Sequence, residues 1–222
     1  MRTIVLMVAA AMIMSGFTFQ QKKRVIFFGD SITQAGVQPG GYITVLGELL
    51  KQKGLDNNYE LNGAGIGGNK IYDLYLRLED DVLSKKPDIV VIWVGVNDVW
   101  HKSTSGTGTD QDKFEKFYNA LIKKIQAANA QVFICTPAAI GEKTDFTNSQ
   151  DGDLNQYSQI IRGIAEKNNV KLIDLRKLFL EYNLANNKTN QPSGTLTTDG
   201  VHLNEKGNSL VAEEMLNALT SK

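Results

Sequence analysis

A serine near the beginning of the chain has the setting of a catalytic nucleophile. Ser31 follows an apolar stretch, residues 25–28, and the turn residues Gly29-Asp30. On such a turn at the end of a strand, the serine hydroxyl would project from the edge of a sheet. Its backbone N–H would lie where a helical turn begins, which favours an oxyanion. The alternative is that Ser31 merely caps that helix.

A histidine with an acidic residue three positions before it is a candidate base for this serine. The chain has two histidines, and one of them, His202, follows Asp199 in the segment Asp-Gly-Val-His. At this spacing the carboxylate can accept a hydrogen bond from the imidazole and fix its tautomer, as the base of a nucleophilic serine requires. The alternative for a loop histidine is an ordinary surface position.

Two further segments offer hydrogen-bond donors for an oxyanion. The glycine-rich turn at residues 63–68 leaves backbone N–H groups free to point into a cleft, and Asn97, in an expected loop at residues 95–98, can donate from its carboxamide. The alternative for Asn97 is a turn residue that bonds to its own backbone. Together with Ser31, Asp199 and His202, these donors meet the requirements for acyl transfer.

The glycine turn also matches the dinucleotide-binding pattern G-x-G-x-x-G through Gly63, Gly65 and Gly68. However, the match follows the second expected strand rather than the first. The next strand ends in Val94-Gly95-Val96, without the acidic residue that would bind a ribose. We therefore expect no nicotinamide or flavin, and acyl transfer needs neither a cofactor nor a metal.

Apolar segments of strand length alternate with segments of helical period along the chain. The expected strands are residues 25–28, 59–62, 89–94, 132–136 and 171–174. The third is apolar throughout, as a strand buried on both faces requires. This alternation predicts an α/β fold with a doubly wound sheet of about five parallel strands and helices on both faces. All four candidate segments fall near the carboxyl ends of strands, where sites form in such sheets.

Composition restricts the class of protein. The 222 residues are 42% hydrophobic and 22% charged, which is typical of a globular protein with a sizeable core. Lys+Arg and Asp+Glu are equal at 24 each, without the basic stripe of a nucleic-acid binder. The lone cysteine, Cys135, excludes an intramolecular disulfide and any multi-cysteine metal site. For the acyl-transfer site described above, the expected partner is a small-molecule or polysaccharide-bound ester.

The first 20 residues resemble a secretory signal peptide rather than part of the fold. Arg2 precedes an apolar stretch, residues 4–14, that is shorter than the roughly 20 residues needed to span a bilayer. The alternative is a buried helix or strand. We expect cleavage between residues 16 and 21, export to the periplasm or the medium without stable membrane insertion, and one domain over residues 21–222.

Four short segments resemble the four sequence blocks of the SGNH (GDSL-type) hydrolases, in the family's order. They are GDSIT at 29–33, the glycine turn ending in Gly68-Asn69, GVND at 95–98 and DGVHLN at 199–204. The resemblance covers about residues 24–221. It implies a flavodoxin-like three-layer α/β/α fold and an esterase, lipase or other acylhydrolase that uses a serine nucleophile and no cofactor.

The resemblance also implies roles for individual residues. Ser31 would be the nucleophile, His202 the base and Asp199 its partner. The oxyanion hole would consist of the Ser31 backbone N–H, the Gly68 backbone N–H and the Asn97 side chain. The glycine turn is one residue longer than the family's usual Asn-x-Gly-x-x-Gly, so Gly67 is the alternative donor.

The family does not determine the substrate, because its members hydrolyse many kinds of ester. We expect a short acyl group, such as acetyl, on a carbohydrate or another small alcohol. The alternatives are a lysophospholipase, lipase or thioesterase for longer chains, and a non-catalytic ligand-binding domain on the same fold. Candidate residues of the substrate pocket are Asp30, Trp100 and His101, and the polar segments 102–112 and 186–198 are candidates for shaping access.

Overall fold

A computed structural model describes residues 21–221. It contains five strands and eight α-helices, with a short 3₁₀ turn at Leu83–Lys85 between α3 and β3. In chain order they are β1 Lys23–Gly29, α1 Ser31–Gly36, α2 Tyr42–Gln52, β2 Tyr59–Gly65, α3 Ile71–Asp81, β3 Ile89–Trp93, α4 Val96–Thr104, α5 Gln111–Ala127, β4 Gln131–Cys135, α6 Asp151–Asn168, β5 Lys171–Ile173, α7 Leu175–Asn186 and α8 Glu205–Thr220.

The strands form one parallel sheet in the order β2-β1-β3-β4-β5. The chain winds from β1 outwards to β2, then crosses to β3 and continues in the other direction. The loops after β1 and β3 therefore separate at the carboxyl edge of the sheet, which opens a crevice there. Ser31 follows β1 and Asn97 follows β3, so both lie at this crevice.

The alternating direction of side chains along the strands creates a separate hydrophobic core on each face of the sheet. In β1, Val25 and Phe27 pack on one face, with residues of α2, α7 and α8. Ile26 and Phe28 point to the other face, with residues of α3, α5 and α6. Successive side chains of a strand point to opposite faces, and apolar residues at every position of β3 therefore fill both cores. The expected three-layer α/β/α architecture is confirmed.

Two local predictions were wrong. Residues 63–65 continue β2 instead of beginning the glycine turn, because they pair with residues 27–29 of β1. Residues 96–104 form helix α4, whereas we expected a loop that continued into a polar connection. Its first four residues are buried, and Gly95, at a φ of 129°, precedes the helix. Asn97 thus lies in the first turn of a helix.

The expected signal peptide lies outside the described residues. None of the helices in residues 21–221 combines the length and the apolar character needed to cross a bilayer.

Candidate active site

Ser31 is the first residue of α1, and the preceding residue holds that helix in place. The Asp30 carboxylate accepts a hydrogen bond from the Ile32 backbone N–H at 3.0 Å, so Asp30, and not Ser31, caps the helix. Asp30 is only 2% exposed. Our expectation that Asp30 lines the substrate pocket is therefore wrong, because its side chain is buried beneath the serine turn.

Ser31, His202 and Asp199 form a continuous chain of hydrogen-bonded side chains. Ser31 Oγ lies 2.9 Å from His202 Nε2, and His202 Nδ1 lies 2.7 Å from Asp199 Oδ2. The imidazole is thus held between a hydroxyl and a carboxylate, across 171 residues of sequence. This arrangement allows the ring to accept the serine proton while the carboxylate stabilises the resulting imidazolium.

The Asp199–His202 turn is closed by its own backbone. Asp199 Oδ1 accepts hydrogen bonds from the backbone N–H groups of Val201 at 2.9 Å and of His202 at 2.8 Å. Partial burial of Asp199 opposes its ionisation, but the hydrogen bonds from His202 and Val201 outweigh burial and lower the carboxyl pKa. Asp199 is therefore ionised at neutral pH and keeps one oxygen directed at the imidazole.

The glycine turn after β2 distinguishes the two candidate oxyanion donors. The Gly67 N–H donates to Gln34 Oε1 at 2.9 Å. Gly68 has a φ of 75°, and within residues 21–221 its backbone N–H has no acceptor. The turn can approach the serine helix this closely because Gly65 has no side chain. A β-carbon there would clash with the Gln34 backbone nitrogen. Of the two candidate donors, Gly68 is thus the one whose N–H has no acceptor among the described residues.

Asn97 is oriented by the segment that carries Gly68. It is 2% exposed, and its Nδ2 donates one hydrogen bond to the Asn69 carbonyl at 3.2 Å. A carboxamide nitrogen carries two hydrogens, so one remains for a ligand in the crevice. The neighbouring Asp98 accepts from the Ile71 N–H at 3.2 Å and joins the beginnings of α3 and α4.

Arg77 joins several of these segments, a role that no sequence pattern indicated. Its guanidinium donates to the carbonyls of Gly29 at 2.7 Å and Ala64 at 3.0 Å, and to Asn69 Oδ1 at 2.7 Å. It also pairs with Asp81 and lies over the Phe28 ring. The partners are backbone carbonyls and an amide from distant segments, so spacing in the sequence gave no signal of this role.

Trp100 and His101 stand beside the crevice on α4. The Trp100 ring is 6.3 Å from the His202 ring, centroid to centroid, and 5.7 Å from the His101 ring. A β-carbon at Gly68 would lie 3.7 Å from His101 Cε1. Desolvation and the nearby Lys70 lower the His101 pKa, so this imidazole is neutral at pH 7. Both rings are placed where they can contact a substrate.

Two buried carboxyl groups lie beneath the crevice. Desolvation raises the pKa of Asp30 to about 7, opposed by the Ile32 N–H and by the charge of His202. Desolvation also raises the pKa of Asp98 to about 7. Within residues 21–221, no group of three or more potential ligands is arranged to hold a metal ion.

Comparisons with known proteins agree with this geometry. The sequence model of the GDSL-like lipase/acylhydrolase family matches residues 27–210. A crystal structure of an acetyl xylan esterase, AlAXEase, superimposes with a TM-score of 0.87 at 67% identity, over 88% of this chain and 99% of the other.

More distant relatives extend the family. An acetylxylan esterase of Geobacillus stearothermophilus is 28% identical over 212 residues, which cover 87% of this chain and 92% of the relative. An uncharacterised lipoprotein of Bacillus subtilis, YqeF, is 25% identical over 70% of this chain and 72% of its own length. The chain belongs to the GDSL-like lipase/acylhydrolase family and is a carboxylic ester hydrolase.

Proposed function

We propose that this protein removes acetyl groups from acetylated xylan or xylooligosaccharides, with Ser31 as the nucleophile. The observation that carries the serine mechanism is the hydrogen-bonded chain from Ser31 Oγ through His202 to Asp199. The choice of substrate is supported by the 67% identical acetyl xylan esterase, and by the more distant acetylxylan esterase of Geobacillus stearothermophilus.

The reaction proceeds in two steps through an acyl-enzyme. His202 Nε2 takes the Ser31 proton as Oγ bonds to the ester carbonyl carbon. The tetrahedral intermediate then expels the sugar oxygen, which leaves with the proton from His202. In the second step His202 deprotonates a water, which attacks the acetyl-serine, and acetate leaves as Ser31 recovers its proton. Asp199 orients the imidazole throughout.

The carbonyl oxygen becomes an oxyanion in both steps and needs donors aimed at it. We assign the Ser31 N–H, the Gly68 N–H and the second hydrogen of Asn97 Nδ2 to this role. The bond between the Gly67 N–H and Gln34 supports Gly68 as the glycine donor. Donors fixed in advance stabilise the charge without reorganisation, and removing one typically costs about 2.7–4 kcal/mol of transition-state stabilisation.

A short acyl group suits the walls of this crevice. The Trp100 ring stands beside His202, and His101 stands beside Gly68. Two aromatic side chains so near the reacting atoms limit the room for a long chain and offer apolar surface to a sugar ring. These contacts support acetyl over the longer chains of the lysophospholipase alternative.

Export is the cellular setting that we propose, with a signal peptide at residues 1–20 and one domain at residues 21–222. Support comes from the apolar stretch at residues 4–14 and from the relative described as a lipoprotein. Expression of the chain with residues 1–20 included, followed by mass spectrometry of the intact secreted protein, tests the proposed export. A new N-terminus between residues 17 and 21 is expected, and an unprocessed chain retained in the cytoplasm would contradict it.

The test of function measures acetate release from acetylated xylan and xylooligosaccharides, beside hydrolysis of p-nitrophenyl esters from acetyl to dodecanoyl. The wild type should release acetate and lose activity steeply with acyl length. Ser31→Ala should lose at least about 10³-fold in kcat. Ser84→Ala is the matched control, because Ser84 is exposed and its hydroxyl donates to the Asp80 carbonyl of its own helix turn.

Each alternative has its own outcome. A preference for dodecanoyl would replace the proposed substrate with a lipid. Equal activity in Ser31→Ala and wild type would refute the serine mechanism. Binding of xylooligosaccharides without serine-dependent release from any ester would indicate a non-catalytic domain.

A further inference from the structure

A buried carboxylate outside the proposed catalytic residues holds the loop that carries them. Glu142, in the connection between β4 and α6, is only 1% exposed. Its Oε2 accepts a hydrogen bond from the Thr195 backbone N–H, and its Oε1 accepts from those of Leu196 and Thr197, each at 2.7 Å. Three successive N–H groups thus converge on one carboxylate, an arrangement that binds an anion.

These contacts continue directly to the Asp199–His202 turn. Thr197 is completely buried, and its Oγ1 accepts from the Gly200 N–H at 2.9 Å. The Gly200 carbonyl in turn accepts from the Gly141 N–H at 2.9 Å. Gly141 therefore holds the turn directly through its backbone, and Glu142 holds it through Thr197.

Regular secondary structure does little to hold this loop. Residues 187–204 lie between α7 and α8 and form no named strand. The pairing within them is an isolated antiparallel β-bridge between Thr197 and Leu203. Buried backbone N–H groups need acceptors, and without a neighbouring strand some of these come from side chains. Glu142 supplies acceptors for three of them. Its own carbonyl accepts from Asn187 Nδ2 at 2.8 Å, which fixes the beginning of the same loop.

We propose that Glu142 is a positioning residue for catalysis, which sets the distance between His202 and Ser31 by anchoring residues 195–197. This inference rests on the proposed roles of Ser31, His202 and Asp199. Glu142 contacts neither the reacting atoms nor the imidazole. It acts through the backbone of the loop, and its loss would allow His202 to move away from a serine fixed on a separate element.

The test is Glu142→Gln in the full chain. The two side chains have nearly the same shape, but the amide nitrogen of glutamine would face a backbone N–H instead of accepting from it. We expect kcat for p-nitrophenyl acetate to fall about 10–100-fold while KM changes less than about threefold, because misplacement of a catalytic group by about 1 Å costs this much. We also expect a shift of the far-downfield proton resonance of the His202–Asp199 hydrogen bond, because the imidazole moves away from Ser31. This resonance is simple to assign with only two histidines in the chain.

Asp174→Asn provides a matched control for lost stability. Asp174 also accepts from a backbone N–H, that of Lys177, and it pairs with Arg162, but it follows the outermost strand β5, two strands away from β3. Well below its melting temperature this variant should keep the wild-type kcat and the downfield resonance. Glu142→Asp retains the charge and should recover part of the lost kcat, and it replaces Glu142→Gln if that variant does not fold.

A folded Glu142→Gln with the wild-type kcat and resonance overturns the proposal. So does an equal fall in kcat in Asp174→Asn, since the effect would then be general destabilisation. A failure of the proposed function is recognised separately, because it would appear as activity retained in Ser31→Ala. The two hypotheses therefore fail in different variants.

Discussion

The two halves of the candidate active site are held by different means. The nucleophile half comprises Ser31, Gly68 and Asn97, which follow the neighbouring strands β1, β2 and β3. The base half comprises Asp199 and His202, which lie in the irregular segment between α7 and α8. The first half is positioned by the hydrogen bonds between parallel strands and by the N-termini of helices. The second half is positioned largely by side chains that accept hydrogen bonds from backbone N–H groups.

This difference shows what each kind of support requires of the sequence. A parallel sheet fixes the ends of its strands through repeated backbone hydrogen bonds, which depend little on the identity of any side chain. An irregular segment has no such repetition, so individual side chains such as those of Glu142 and Thr197 supply acceptors for its N–H groups. We expect single substitutions behind the catalytic residues to disturb the base half more than the nucleophile half.

The strongest test removes one catalytic group from each half. Ser31→Ala and His202→Ala should each reduce kcat for p-nitrophenyl acetate by about 10³–10⁶-fold, and the double variant should be no worse than either, because the two groups act as a unit. Asp199→Asn should cost less. A His202→Ala variant that keeps more than a tenth of the wild-type kcat would show that the base half is dispensable.

Within the nucleophile half, Asn97→Ala should have the next largest effect. Loss of one oxyanion donor should lower kcat about 10²–10³-fold with little change in KM, because the bond forms in the transition state. Asn119→Ala is a suitable control, since its carboxamide donates to the Glu115 carbonyl on α5, far from the crevice. Equal values for both variants, measured by steady-state kinetics, would remove Asn97 from the oxyanion hole.

Arg77→Lys examines whether the nucleophile half also depends on a side chain. Lysine keeps the charge but cannot reach the Gly29 and Ala64 carbonyls and the Asn69 amide together. We expect kcat to fall less than about tenfold, as the glycine turn loosens against the serine turn. Arg24→Lys, in an exposed pair with Glu60, should leave kcat unchanged. A loss as large as that of Glu142→Gln would contradict the contrast between the halves.

The pH dependence of stability should distinguish the halves by its sign. Burial raises the pKa of Asp30 and Asp98 to about 7 from an ordinary 3.8, so the folded protein binds more protons than the unfolded chain between these values. Their contribution therefore favours folding at low pH and is lost as the pH rises from about 4 to 7. In the base half, the pKa of Asp199 is lowered by its bonds to His202 and Val201, so its contribution is present above the ordinary value and lost as the pH falls below it.

Thermal melting of wild type and Asp98→Asn between pH 5 and pH 8 measures this effect. Asparagine retains an oxygen for the Ile71 N–H but carries no charge, so the variant should melt higher than wild type at pH 8 and show a flatter profile. In a chain of this size, each kcal/mol corresponds to about 2–4 °C. A wild-type melting temperature that rises from pH 5 to pH 8 would contradict the burial of these charges.

Much of the fold and the site followed from local patterns. Five apolar segments predicted the parallel sheet, and the structure contains it. Helix α4 was missed because its buried first turn, residues 96–99, mixes two valines with Asn97 and Asp98, so no helical period was visible. Arg77 and Glu142 were missed because most of their partners are backbone groups of other segments, which sequence spacing does not indicate.

The sequence by itself determined the types of residue at each strand end and the order of the strands along the chain. Side-chain chemistry and hydrophobic periodicity are local properties, and they suffice to identify a serine, an Asp–His pair and an amide as candidates. Only the tertiary structure decided that the Gly67 N–H is engaged by Gln34, that Asp30 is buried, and that Ser31 Oγ and His202 Nε2 meet at 2.9 Å. Those facts depend on the packing of segments far apart in the chain, because burial and hydrogen-bond partners are set by which surfaces come together when it folds.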